Sequence, residues 1–269
     1  MKAGHGERKE WPRTAGVSLA LTLLAGLLLT GHLPFHLARG IPWVYYRGDL
    51  QPARYMRPGD HLQLLYRFAL VEDMLRGGTP WFHNPYEFSR GDVAESYRPS
   101  PLYAPFSLAF AAFHAVGSWA FAWNLLGFIS LWLTLLFTFL LVRRFTPSPA
   151  AAWAAALLTV AHPYRLENLL GGSPSGFSLL WIPLFFWGAD AVLRDGRRRG
   201  GAAAGIALWG IAWTDPQSLF FVALAAPLWA VLRLAVFPPD TAPWRTRWAR
   251  AFRGALAGVP FLLPAAAAA

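Results

Sequence analysis

Residues 101–144 read PLYAPFSLAFAAFHAVGSWAFAWNLLGFISLWLTLLFTFLLVRR, and the fold of the chain turns on how often this stretch crosses a bilayer. Its second part, Ala120 to Val142, runs 23 residues without a charge. A transmembrane helix needs about 20 apolar residues, so this part reads as a span. The first part, residues 101–116, is sixteen residues long with Pro101 and Pro105 inside it, which is short for a crossing. Two readings compete: a second helix through the bilayer, or a segment that is interfacial or re-entrant. Charge parity chooses between them. Arginines cluster at Arg143–Arg144, at Arg194 with Arg197, Arg198 and Arg199, and at Arg245, Arg247, Arg250 and Arg253. Short cytoplasmic loops carry the excess of Lys and Arg. With one crossing in 101–144 all three clusters fall in the cytoplasm, and with two all three fall outside. The expectation is one span, preceded by an interfacial or re-entrant segment.

Composition agrees with a membrane protein. The 269 residues are 55% hydrophobic, 16% aromatic and only 14% charged, too apolar for an ordinary soluble domain. There is no cysteine, which excludes a disulfide framework and a Cys-ligated metal. The net charge of +10 sits at the ends of apolar runs, where it sets topology, so nucleic acid is not the expected partner. There is no Walker loop, no His-Glu-x-x-His and no Gly-x-Ser-x-Gly, which removes support for ATP-driven, zinc-protease and serine-hydrolase chemistry.

Upstream, TAGVSLALTLLAGLLLTGHLPFHL (14–37) follows Lys2, Arg8, Lys9 and Arg13. It is long for a signal peptide and no small-x-small site follows it, so it reads as a first helix with a cytoplasmic N-terminus. Residues 39–100 then form a large first external loop that holds seven of the fourteen acidic residues. Downstream, 149–162 goes outward, HPYRLENLLGGSPSG is an external loop, 176–193 returns, and RDGRRRGG is cytoplasmic. Residues 202–213 go out, TDPQ turns outside, 217–236 comes back, and a last run begins near Gly254. The sum is an all-α polytopic membrane protein of about seven helices, one module over 1–269 with no internal repeat. The end, PAAAAA, falls inside an apolar run as a truncated module would.

Within the external loop, DHLQLLYRFALVEDMLRGG (60–78) has the mixed faces of an amphipathic helix over 60–76 lying on the outer membrane surface. Asp60 follows the Pro58–Gly59 turn as an N-cap, and Gly77–Gly78 ends the helix. Asp60, Gln63 and Arg67 share a stripe, and Glu72 can pair with Arg76 at i, i+4. Capping alone accounts for an aspartate here and is worth about 1 kcal/mol.

The order of these features resembles the GT-C fold membrane glycosyltransferases, and most nearly the YfhO-like and related bacterial members. The resemblance is carried by Gly59–Asp60 before the loop helix, Gly78-Thr79-Pro80-Trp81 after it, YRPSPLYAPF, HPYRLENLLGG and WIPLFFWGAD. It implies a GT-C-like module in a bacterial inner (cytoplasmic) membrane, with its active face extracytoplasmic. The implied reaction moves a sugar from a polyprenyl-phosphate donor to an acceptor hydroxyl. That hydroxyl must lose a proton as it attacks, which is the work of a carboxylate base. The resemblance puts Asp60 in that role, Glu167 in the second external loop as a further acid, and Asp49 in YYRGDL as the rival to Asp60. Some relatives also hold a divalent cation, Mg or Mn, with external acids.

Each candidate also has a plainer reading. Asp49 fits a solvated turn, Glu167 a helix-end charge paired with Arg165, and Asp215 a cap before Pro216. Arg165 is the best candidate for the donor phosphate, because a planar guanidinium matches phosphate oxygens, with His162 beside it. His162, Trp81 and Tyr86 also fit as interfacial aromatics, and Arg67 and Arg98 are weaker phosphate candidates. Asp190 and Asp195 fall on the cytoplasmic side, Asp190 pairing with Arg194. A transporter or lipid flippase is the alternative from another class, and a noncatalytic scaffold of the same fold a third.

Overall fold

The computed structural model describes residues 7–30, 35–41, 61–86, 96–97, 102–236 and 243–261. Among these the chain is all-helical, with an isolated bridge between His83 and Tyr97 and no strand. The helices are α1 (Glu7–Thr30), α2 (His61–Leu75), α3 (Ala104–His114), α4 (Trp119–Val142), α5 (Pro149–Ala161) and α6 (Pro163–Leu170). They continue as α7 (Pro174–Ser178), α8 (Trp181–Asp195), α9 (Arg198–Thr214), α10 (Pro216–Val231) and α11 (Trp244–Ala255). A π-helical turn, Leu232–Val236, extends α10, and a 3₁₀ turn, Leu256–Phe261, extends α11.

Among the described residues there are eleven α-helices: α2 and α3 are the loop helix and the short segment set apart from the seven expected runs, and α6, α11 and most of α7 fall in stretches read as connections. Pro163 follows His162 and separates α5 from α6, and Pro174 opens α7. Proline lacks the N–H that would continue a helix but fits a first turn, where that N–H has no partner. Two starts are capped by serine. The Ser118 hydroxyl accepts from Phe121 N–H at 3.1 Å, and that of Ser148 from Ala151 N–H at 3.3 Å.

Among the described residues three helices are long and apolar enough to cross a membrane: α4, the joined α7–α8 segment Pro174–Asp195, and α10 with its extension, Pro216–Ala235. Helix α3 has eleven residues, about 16 Å at 1.5 Å per residue, roughly half the hydrocarbon thickness. It lies between α2 and α4. The apolar face of α2 is covered by protein, although the sequence suggested that it would face a bilayer surface. Phe68 is fully buried, its ring 5.0 Å from Phe110 of α3 and 5.9 Å from Trp123 of α4. Trp123 in turn meets Phe177 of α7 edge-on at 5.1 Å. Leu64, Phe68, Phe110, Trp123, Leu169 and Phe177 therefore belong to one continuous core that joins α2 to α6 and α7.

Glycines bring the second half together. A Cβ on Gly188 of α8 would lie 2.6 Å from the Gly200 carbonyl oxygen, and one on Gly205 of α9 would lie 2.6 Å from that of Gly258. Backbones this close need small residues, the usual solution where helices have little hydrophobic drive to associate.

At one end of the bundle the three arginine clusters converge. Arg144 Nη2 pairs with Asp195 at 3.0 Å, Arg194 donates to the Arg144 carbonyl at 3.1 Å, and Arg250 donates to the Arg194 carbonyl at 3.4 Å.

Candidate functional site

Helix α5 runs back along α4, and Trp153 stacks on Phe139 with ring centroids 3.9 Å apart. It is thirteen residues long, about 20 Å, whereas α4 has 24 residues and extends about 36 Å. The chain therefore turns beside the middle of α4, not at its end. There the Ser130 hydroxyl donates to the Phe177 carbonyl at 2.6 Å. Ser130 lies 13 residues before Arg143, about 20 Å along the axis.

Arg165 points into this level. Arg165 and Leu169 share the buried face of α6, four residues apart. Nη2 of Arg165 donates to Ser130 Oγ at 3.0 Å and to Thr134 Oγ1 at 3.2 Å. Nε and Nη1 are buried without a hydrogen-bond partner among the described residues. An arginine carries one N–H on Nε and two on Nη1, so three donors are left over. Among the described residues no carboxylate pairs with the group, and burial alone lowers its pKa to about 9. A buried cation without a counter-ion is costly, and an anion that takes up the spare donors removes the cost. A planar guanidinium with spare donors matches phosphate or carboxylate in its chemistry.

The other expected site residues fall elsewhere. Glu167 is exposed on α6, two residues and thus about 200° around the helix from Arg165. No Glu167–Arg165 ion pair forms among the described residues, which corrects that part of the sequence reading. His162 is exposed at the α5–α6 junction. Asp60, Asp49 and Arg98 lie outside the described residues. Arg67 sits over the Tyr66 ring at 5.8 Å. Among the described residues no three His, Asp or Glu side chains come together as a metal would require, so no step is assigned to Mg or Mn.

Asp215 is the cap that the sequence suggested, and it is nearly buried. Its Oδ1 accepts from Gln217 N–H at 3.1 Å and Ser218 N–H at 3.2 Å. Its Oδ2 accepts from the hydroxyls of Ser218 at 2.6 Å and Ser178 at 3.1 Å. Four donors satisfy the carboxylate, and no spare capacity remains for chemistry.

Asp190 requires a correction. It was expected to pair with Arg194 on its own helix. Instead it is fully buried and holds Arg233 Nε on Oδ1 at 2.6 Å and Arg144 Nε on Oδ2. Helix periodicity sees only neighbours on the same helix, whereas the side chain faces inward to α4 and the turn after α10. Burial pulls the Arg144 guanidinium down, but the hydrogen bonds and charges of Asp190 and Asp195 outweigh it and hold its pKa above the usual value.

Ser130 and Thr134 were not picked out from the sequence. Their signal was present: two hydroxyls at i, i+4 in a helix without charges share one face. A second polar group also went beyond the sequence reading. Glu72 pairs with Arg76 as expected, and additionally with His114 Nδ1 of α3 at 2.8 Å.

Comparison with protein-family models, with curated proteins and with solved structures found no match to this chain. The resemblance to the GT-C enzymes therefore rests on the motifs quoted above.

Proposed function

We propose that this chain is a polytopic membrane glycosyltransferase of the GT-C type, transferring a sugar from a polyprenyl-phosphate donor on the extracytoplasmic face of a bacterial cytoplasmic membrane. The observation that carries the reading is Arg165, a buried guanidinium with three spare donors and no counter-ion among the described residues. Arg165 holds the donor phosphate. Asp60 takes the acceptor proton as the hydroxyl oxygen attacks the anomeric carbon. The bond from that carbon to the phosphate oxygen breaks, and polyprenyl phosphate leaves with the electron pair. The common core of α2 and α6 supports placing the Asp60 helix near the Arg165 helix.

The test is sugar transfer from polyprenyl-phosphate sugar by purified full-length protein. Asn caps a helix about as well as Asp, so Asp60→Asn should fold normally and lose about 10²–10⁴-fold in rate. Asp49→Asn should keep most activity. Normal turnover by Asp60→Asn with a dead Asp49→Asn would reassign the base, and full activity of both would remove the reading.

The depth of Arg165 favours a second reading, transport or flipping of a phosphate-bearing lipid. Ionisable groups well inside a membrane commonly mark a transport path. In proteoliposomes, lipid or solute flux without sugar transfer would establish it in place of the first.

A further inference from the structure

The sequence of α11 and its 3₁₀ extension, WRTRWARAFRGALAGVPF, carries four arginines and no acid. Its sides do different things. Ala251 and Gly254 are buried, with a Cβ on Gly254 meeting Val192 of α8 at 3.3 Å, and Arg250 donates to the Arg194 carbonyl. This side docks α11 across the end of the α8–α9 pair. A second side is a stripe of large apolar groups four residues apart that no element among the described residues covers: Trp244 at 61% exposure, Trp248 at 45% and Phe252 at 66%. Leu256 continues it beyond the helix at 50%. Beyond that stripe, on the edge away from the protein, stand the exposed Arg245 and Arg253. At 100° per residue Arg245 and Arg253 lie about 60° and 140° past Trp248, so aromatics and cations occupy adjoining faces.

We infer that α11 lies in the bilayer interface, with Trp244, Trp248 and Phe252 in the acyl boundary and Arg245 and Arg253 on the phosphates of anionic phospholipid. Location and charge select this occupant over a protein. The helix sits at the end of the bundle where candidate spans α4, α7–α8 and α10 all finish, tied there by Asp190. Aromatic anchors with flanking arginines are the composition of a helix lying in a membrane surface. The exposed Arg245 and Arg253, on a helix that carries no acid, match an anionic leaflet. The inference does not depend on the enzymatic reading.

The chain has no cysteine, so one spin label at a time can be placed without removing others. In proteoliposomes of phosphatidylcholine with phosphatidylglycerol, a label on Phe252→Cys should collide more with oxygen than with a water-soluble nickel complex. A label on Arg253→Cys should show the reverse balance. Spin-labelled phosphatidylglycerol should associate with the wild type in preference to phosphatidylcholine. Arg245→Gln and Arg253→Gln should each reduce that preference by about fivefold. Arg76→Gln, exposed and distant from α11, serves as the control. A Phe252 label shielded from both reagents would mean that protein, such as a second copy, covers the stripe, and would overturn the inference. So would a Phe252 label freely reached by nickel, or a lipid preference unchanged in both variants.

Discussion

At Arg165 folding buries a cation that has no counter-charge among the described residues, so stability and function should respond to its loss in opposite directions. Replacing buried charge with an apolar side chain of similar size is often neutral or stabilising by about 1–4 kcal/mol. Arg165→Met should therefore keep or raise the thermal midpoint while removing transfer activity and phosphate binding. Arg165→Lys keeps a charge but loses the planar fork, and should recover only part of the binding. A large fall in the midpoint of Arg165→Met would make this residue structural. Asp190 is the opposite case. Asp190→Asn strips the counter-ion from Arg233 and leaves Arg144 with Asp195 alone, and breaking a buried pair costs about 3–5 kcal/mol. It should lower the thermal midpoint strongly, and an unchanged midpoint would mean that those arginines find other partners. The sequence could single out Arg165 because guanidinium chemistry is readable from residue type. It shows Ser130 and Thr134 on one helix face but not that they meet Arg165, which follows from α5 stopping beside the middle of α4.

Among the elements, α2 shows what periodicity could and could not reveal. Its extent was legible to within a residue or so, since the apolar spacing and the Gly77–Gly78 stop are local signals. What covers its apolar face was not legible, because a stripe facing lipid and a stripe facing Phe110 and Trp123 have the same spacing. The Gly-Thr-Pro-Trp turn also has a local mechanism. Gly77 has φ of 78°, the left-handed region that ends a helix, and Gly78 N–H donates to the Asp73 carbonyl at 3.0 Å. A Cβ on Gly78 would collide with the Asp73 carboxylate, which also accepts from the Thr79 hydroxyl. Gly77→Ala should cost about 1–2 kcal/mol from left-handed backbone alone. Gly78→Ala should instead displace Asp73 and break its bond to Thr79, loosening the last turn of α2 in hydrogen exchange. If Asp73→Ala leaves that exchange unchanged, the carboxylate does not hold the turn.

For the molecule as a whole, the contacts between arginine clusters bear on topology in a way the sequence alone could not. From sequence, three clusters were assigned to one side by counting crossings. In the structure they touch, through Arg144–Asp195, Arg194 to the Arg144 carbonyl and Arg250 to the Arg194 carbonyl. If these helices cross a bilayer, clusters in contact share a side, and the choice of side rests on the positive-inside rule. Single cysteines at Arg143, Arg197 and Arg253 in intact cells should all resist a membrane-impermeant thiol reagent, and one at Tyr86, exposed in the polar segment, should react. Permeabilisation should expose the protected positions. The two ways of failing separate the fold from its orientation. If the three arginine positions react together while position 86 does not, the packing stands and the molecule is inverted, which moves Arg165 and Glu167 to the cytoplasmic half and removes the extracytoplasmic chemistry. If the three divide between the two faces, the packed arginine end cannot form in the membrane, and the α4–α8–α11 contacts are wrong.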